Sequence, residues 1–186
     1  MEASWPTSRT RVAGVIGWPI DHSLSPSMHN AAFRALEMDW AYLAFPIHPD
    51  HVQHAVTGLF EAGCAGLNVT IPHKHAVMEC CASLSPAARA IGAVNTLVPM
   101  PDGGIRGDNT DAEGFLRALD EAAPVVLDGH DVLLIGAGGA ARAVAFALRG
   151  RGANVRVANR TADRAADLGE PISFTRDAME QAASTA

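Results

Sequence analysis

The sequence predicts an α/β protein in two parts: a mainly parallel αβ domain, then a second and shorter αβ unit. Three observations carry this expectation. Short apolar runs alternate with stretches of helical periodicity, the pattern of strands joined by crossover helices. The composition shifts near residue 124, where Pro124 and the pair Asp128-Gly129 mark a loop and a new αβ rhythm begins at Asp131. Apolar residues make up 48% of 186 positions and charged ones 18%, enough to bury a core in each part.

The elements follow in order. Residues 12–16 read as a strand ending at Gly17, and residues 25–36 as a helix with Ser25 as its cap and Pro26 at its first position. A second strand over 42–47 leads to a helix over 49–62. A third strand, 66–71, is broken by Pro72. Helical patches pass through Met78 and over 86–91. Residues 95–98 and 104–107 flank PDGG, a hairpin turn signal. Residues 111–122 form an amphipathic helix with Phe115 and Leu119 on one face. It is expected to connect a first domain, 1–112, to a second, 113–186. There is no internal repeat.

Composition also excludes function classes. Fourteen basic against twenty acidic side chains give a net charge of -6. A nucleic-acid surface needs a basic stripe to displace phosphate counterions, so none is expected. Cys64, Cys80 and Cys81 are odd in number and lack metal-site spacing, which points to a reducing cytoplasm rather than a disulfide framework. The first ten residues hold no signal-like apolar run, and no stretch approaches the ~20 apolar residues of a membrane span. His48, His51 and His54, spaced by three, read as a solvated face rather than a metal site.

The run DVLLIGAGGAARAVAFAL, residues 131–148, sets a buried strand, a glycine turn and a helix in immediate succession. Gly136, Gly138 and Ala141 occupy the three positions of the G-x-G-x-x-G/A fingerprint of Rossmann-type nucleotide folds. The first glycine makes the turn, the second admits a pyrophosphate, and the small third residue lets helix and strand pack closely. The next strand ends in NRTADR, residues 159–164. Asn159 stands where an acidic residue would grip the ribose 2′-hydroxyl of NAD. Arg160 and Arg164 offer planar donor forks to a 2′-phosphate, and Thr161 a hydroxyl. The alternative is a solvated helix start with incidental arginines; the pattern favours NADP.

In the first part, polar groups follow apolar strands: Ser23 and Ser25, then Asn68, Thr70 and Lys74, then Asn95 and Asp111. Ligands of open parallel sheets bind beyond the carboxyl ends of strands, so this set predicts one cleft for a small polyhydroxylated acid. SLSPSMHN, GLNVTIPHK, GAVNTL, GDNTDAEGF, GAGGAARA and NRTADRA, in this order, closely resemble the motifs of the shikimate dehydrogenase family. The resemblance spans residues 12–168. It implies that Ser23 and Ser25 hold the shikimate carboxylate and that Thr70, Asn95, Lys74 and Asp111 hold ring hydroxyls, with Asn68 close by. It makes Lys74 and Asp111 the catalytic pair. Gly136, Ala137, Gly138, Gly139 and Ala140 take the NADP phosphates, and Asn159, Arg160, Thr161 and Arg164 its 2′-phosphate end. The reaction implied is reversible NADP-dependent reduction of 3-dehydroshikimate to shikimate, a step of chorismate and aromatic amino acid biosynthesis. Quinate/shikimate dehydrogenase, or a shikimate-binding remnant without turnover, are the alternatives.

The chain also departs from the family. Pro86 stands near a position that is acidic in many members, and His73 and His75 flank the lysine where the family varies. Members continue well past residue 186, with further strands and a nicotinamide-contacting loop. Strand order 3-2-1-4-5-6 therefore leaves the Rossmann unit incomplete, with a short third strand expected at 172–174. Residues 132–135 become an exposed apolar edge through which the chain is expected to self-associate. Residues 1–186 alone are expected to bind substrate and turn it over little.

Overall fold

The protein's structure, a computed structural model, describes residues 6–184; the first five residues of the polar N-terminal stretch lie outside them. The chain divides into two compact units, Met1–Arg89 with Val94–Asp108, and Ala90–Ala93 with Asn109–Ala186.

The first unit is a six-stranded sheet built from β1 (Arg11–Gly17), β2 (Trp40–Pro46), β3 (Leu67–Val69), β4 (Ser83–Leu84), β5 (Thr96–Pro99) and β6 (Ile105–Asp108), in the order β2-β1-β3-β5-β6-β4. β1 pairs in parallel with β2 and β3, and β4 with β6; only β5 runs against its neighbours. Period-two alternation decides which residues meet which layer. Val15 of β1 and Tyr42 of β2 pack with Ile20 and with Phe33 of helix α1 (Ser25–Ala35). Ile16, Leu67 and Val69 enter a larger core with Val52 and Val56 of α2 (Val52–Glu61), Val77, Val94 and Leu97. Ala88 of α3 (Pro86–Ile91) closes that core.

The second unit starts with α4 (Asp111–Ala122) and continues as β7 (Asp131–Ile135), α5 (Gly139–Gly150), β8 (Asn154–Ala158), α6 (Ala162–Ala166), β9 (Glu170–Ile172) and α7 (Arg176–Ala183). Its three strands are parallel, in the order β7-β8-β9. Phe115, Leu116 and Leu119 of α4 pack into a core of Leu127, Ala145, Leu148, Val155, Val157 and Leu168. Arg156 in the middle strand pairs with Asp131 on one side and Glu170 on the other, tying the three strands together. β7 lies at the sheet edge with Ile135 exposed.

Several boundaries differ from the sequence reading. Ser25 is the first helical residue of α1 and makes no cap; the cap-like bond comes from Ser23, whose Oγ accepts from the Ser25 N–H at 3.3 Å. The helix over 49–62 begins as a 3-10 turn at Pro49–His51, because Pro49 and the His48 contact to the Asp50 N–H tighten that turn. β3 stops at Val69: the Thr70 N–H still makes the ladder bond to Ile16 O, but the next rung shifts, with the Trp18 N–H going to Ile71 O just before Pro72. The third strand of the second unit lies at Glu170–Ile172, two residues earlier than expected, where it pairs with β8.

Candidate active site

In the first unit the carboxyl ends of β1, β3 and β6 and the amino end of β5 share one edge, because β5 is the reversed strand. Ser23 and Ser25 follow β1, Thr70 and Lys74 follow β3, and Asn95 precedes β5. Asn68 sits within β3, paired with Thr96. Six of the seven residues expected in one cleft thus lie along this edge, on backbone fixed by hydrogen bonds, while Asp111 belongs to the second unit. The Thr70 N–H donates to Ile16 O at 3.0 Å, and the Trp18 N–H to Ile71 O at 3.0 Å, which ties the serine loop to the lysine loop. The Val94 N–H donates to Lys74 O at 2.7 Å, the Val69 N–H to Asn95 O at 2.8 Å, and the Asn95 N–H to Asp108 O at 3.0 Å. Gly17 permits the closeness: a Cβ there would lie 2.6 Å from Thr70 Cγ2.

His73, beside the lysine, is fully buried, and its Nε2 meets Ile47 O at 2.8 Å. Burial pulls its pKa below the usual 6.5, the carbonyl partly opposes this and His48 adds to it. A neutral ring with Nε2–H donating to the carbonyl therefore clamps the lysine loop to the segment after β2. Nothing in the sequence distinguished this histidine from exposed His75.

In the second unit, Asp111 is the first residue of α4, where an acidic side chain complements the helix N-terminus. Its N–H donates to Asn109 Oδ1 at 3.0 Å, while Asn109 Nδ2 donates to Ala93 O at 2.9 Å. Asn109 is buried and holds the start of the helix. The Asn-x-Asp spacing at a helix start was a legible signal for this turn.

The glycine turn runs from β7 into α5. Gly136 has φ +108, a left-handed conformation that side chains rarely adopt, and its N–H bonds Ala158 O at 2.8 Å. Gly138 caps α5 with extended backbone, and a Cβ built on it meets nothing within 4 Å. Neither conformation nor internal packing demands a glycine there. The space in front of the helix N-terminus is open, and its first N–H groups have no partner within the helix, a fit for a dinucleotide's phosphates. At the end of β8, Asn159 Nδ2 donates to Thr161 O at 2.8 Å and shapes the turn into α6. Arg117, Arg142, Arg151, Arg156 and Arg176 each pair with a carboxylate. Of the second unit's other arginines among the described residues, Arg160, Arg164 and, far along α5, Arg149 do not, and Arg160 and Arg164 are exposed beside the turn. The donor set fits a 2′-phosphate.

Residues 15–97 match the family model described as the shikimate dehydrogenase substrate binding domain, and residues 119–184 the one described as shikimate / quinate 5-dehydrogenase. The chain belongs to the shikimate dehydrogenase family. It is 52% identical over 167 residues to the shikimate dehydrogenase (NADP(+)) of Methanothermobacter thermautotrophicus, covering 89% of this chain and 58% of that protein. The chain thus spans under two thirds of that relative's length. The shikimate dehydrogenase of Aquifex aeolicus superposes with a TM-score of 0.84 at 38% identity, over 91% of this chain and 64% of that one. The enzyme of Thermus thermophilus, solved with NADP(H) and shikimate, gives 0.78 at 40% identity, over 87% and 62%. The two family models fall mainly one on each unit, the first on the sheet that carries Ser23 to Asn95 and the second on the glycine turn.

Proposed function

We propose that the protein acts as an NADP-dependent shikimate dehydrogenase, interconverting 3-dehydroshikimate and shikimate in aromatic amino acid biosynthesis. The observation that carries this reading is the shared sheet edge, where two serines, a threonine, two asparagines and a lysine stand on backbone held by hydrogen bonds. Hydroxyls and amides suit a carboxylate and ring hydroxyls, and a single cation suits the one oxygen whose charge changes. NADP, when bound at Gly136 to Ala140 with Arg160 and Arg164 at its 2′-phosphate, supplies hydride exchange with the ring carbon. Ser23 and Ser25 anchor the carboxylate. Asn68, Thr70 and Asn95 orient the ring. Lys74 and Asp111 hold and move the proton of the reacting oxygen, which gains alkoxide character on reduction. The first unit serves as the substrate domain and the second as the nucleotide domain. A cytoplasmic setting belongs to the same proposal, supported by three unbridged cysteines. Among the described residues no helix is long and apolar enough to cross a membrane.

Because residues 1–186 alone are expected to turn over little, the test is NADP reduction in the presence of shikimate by a version extended to the length of its relatives, and by the Lys74→Ala variant of that version. The variant is expected to lose at least the ~100-fold in kcat typical of a general acid, with a smaller change in KM. Unchanged kcat with raised KM would reduce Lys74 to an anchor. The matching description of the second unit names quinate as well, so a dual shikimate and quinate activity is the second reading. Relative turnover of the two acids separates the readings.

A further inference from the structure

The face of the first sheet that α1 covers carries a polar row of which the proposed mechanism uses only the two asparagines. Tyr42 of β2 is almost fully buried, with 3% of its surface exposed. Its hydroxyl donates to Asn68 Oδ1 at 2.6 Å. The phenol reaches across β1, whose Ala13 and Val15 on that face leave it room. Asn68 Nδ2 in turn lies 3.4 Å from Thr96 Oγ1, its register partner on β5, and the Thr96 hydroxyl donates to Asn95 Oδ1 at 2.9 Å. Each donor points the same way along the row: tyrosine to Asn68, Asn68 to Thr96, Thr96 to Asn95.

Tyr42 is itself held from two sides. The Asn30 amide takes both backbone groups of Tyr42, donating to its carbonyl and accepting from its N–H at 2.9 Å each. The His29 ring stacks on the phenol at 4.2 Å between centroids and 10° between planes. Burial foremost, with Cys64 adding, pushes the Tyr42 pKa up to about 12, so the hydroxyl remains a donor at any working pH.

We infer that Tyr42 and Thr96 are positioning residues that set which end of the Asn68 and Asn95 amides meets the substrate ring. An asparagine side chain presents a donor on one end and an acceptor on the other, and a half-turn exchanges them. The Asn95 backbone carbonyl, 3.5 Å from Asn68 Nδ2, can only accept, so Nδ2 faces it and Oδ1 is the end that takes the tyrosine's proton. Thr96, taking its hydrogen bond from Asn68, has its own proton to give to Asn95 Oδ1. Asn95 Nδ2 is then the end directed away from Thr96, a donor suited to a ring hydroxyl oxygen. The row converts two symmetric-looking amides into a fixed pattern that reads hydroxyl positions, a discrimination polar sites make strongly and apolar ones poorly.

This inference rests on the shikimate reading above. The experiment measures binding of shikimate, and of analogues each lacking one ring hydroxyl, to the protein and to its Tyr42→Phe and Thr96→Val variants. Both substitutions keep shape and remove one hydroxyl. Each variant is expected to lose roughly 3- to 10-fold of the preference for shikimate over at least one deoxy analogue, the range of one hydrogen bond. NADP affinity should stay as it was, and Tyr42→Phe combined with Asn68→Ala should cost no more than Asn68→Ala alone. If Tyr42→Phe fails to fold, Thr96→Val carries the same readout. Unchanged preference in both foldable variants, or an equal loss for every ligand, overturns the inference and leaves the proposed function standing. No shikimate binding by the unsubstituted protein overturns both.

Discussion

Asn109 offers a prediction whose size follows from two hydrogen bonds. Asn109→Ala removes the donor to the Ala93 carbonyl and the acceptor for the Asp111 N–H, at 2.9 and 3.0 Å. Ala93 is 1% exposed, so water cannot readily replace the lost donor. Leaving a buried carbonyl short of its partner costs about 1–3 kcal/mol, and losing the turn bond to the Asp111 N–H about 1 kcal/mol. The sum is roughly 2–4 kcal/mol against the second unit, read as the free energy of urea unfolding followed by circular dichroism. Asn109→Ser separates the two parts, because a serine hydroxyl can still accept from the Asp111 N–H in the same turn but is too short to reach Ala93. It should recover about 1 kcal/mol of the loss and most of any activity lost through displacement of Asp111. An Ala variant within about 0.5 kcal/mol of the unsubstituted protein, the level of an indifferent surface change, would refute this account of the helix start.

Three further outcomes follow from the sites. Arg160→Ala should weaken NADP by at least roughly tenfold and leave NAD nearly untouched, measured by fluorescence titration, since only NADP carries the 2′-phosphate. Equal losses would place the arginine elsewhere. Gly138→Ala should leave urea stability within about 0.5 kcal/mol because its Cβ meets nothing, yet cost roughly tenfold or more in dinucleotide affinity; Gly136→Ala, at φ +108, should instead cost stability, about 1–3 kcal/mol. His73 is held neutral, its pKa below the usual 6.5, so the stability it contributes is present above that value and is lost as pH falls through the depressed one. An acid titration of the urea midpoint should show this loss and His73→Leu should not; parallel curves would mean the ring is not held neutral by the fold.

Some of this was legible in the chain and some was not, for identifiable reasons. Helices α3 and α4 match the expected spans because Pro86 and Asp111 are start signals that act locally. The hairpin around PDGG holds for the same reason, its turn being local chemistry. β4 was missed: it has two residues, too few to show a period, and exists only by pairing with β6 more than twenty positions away. The role of Tyr42 was invisible for a similar reason, since its hydroxyl meets Asn68 across a strand that neither residue belongs to. Ser25 was expected to cap its helix, but the preceding turn hands that role to Ser23. The glycine turn and the two arginines were the clearest local signals, because backbone conformation and charge are written in single residues.

The central claim is that the sheet edge holding Ser23 to Asn95 binds shikimate. Calorimetric titration of residues 1–186 with shikimate tests it without requiring turnover. The account predicts saturable one-site binding, weakened by Ser23→Ala and by Asn95→Ala and unaffected by Arg160→Ala. Absence of binding, or binding that these two pocket substitutions leave unchanged, would contradict it.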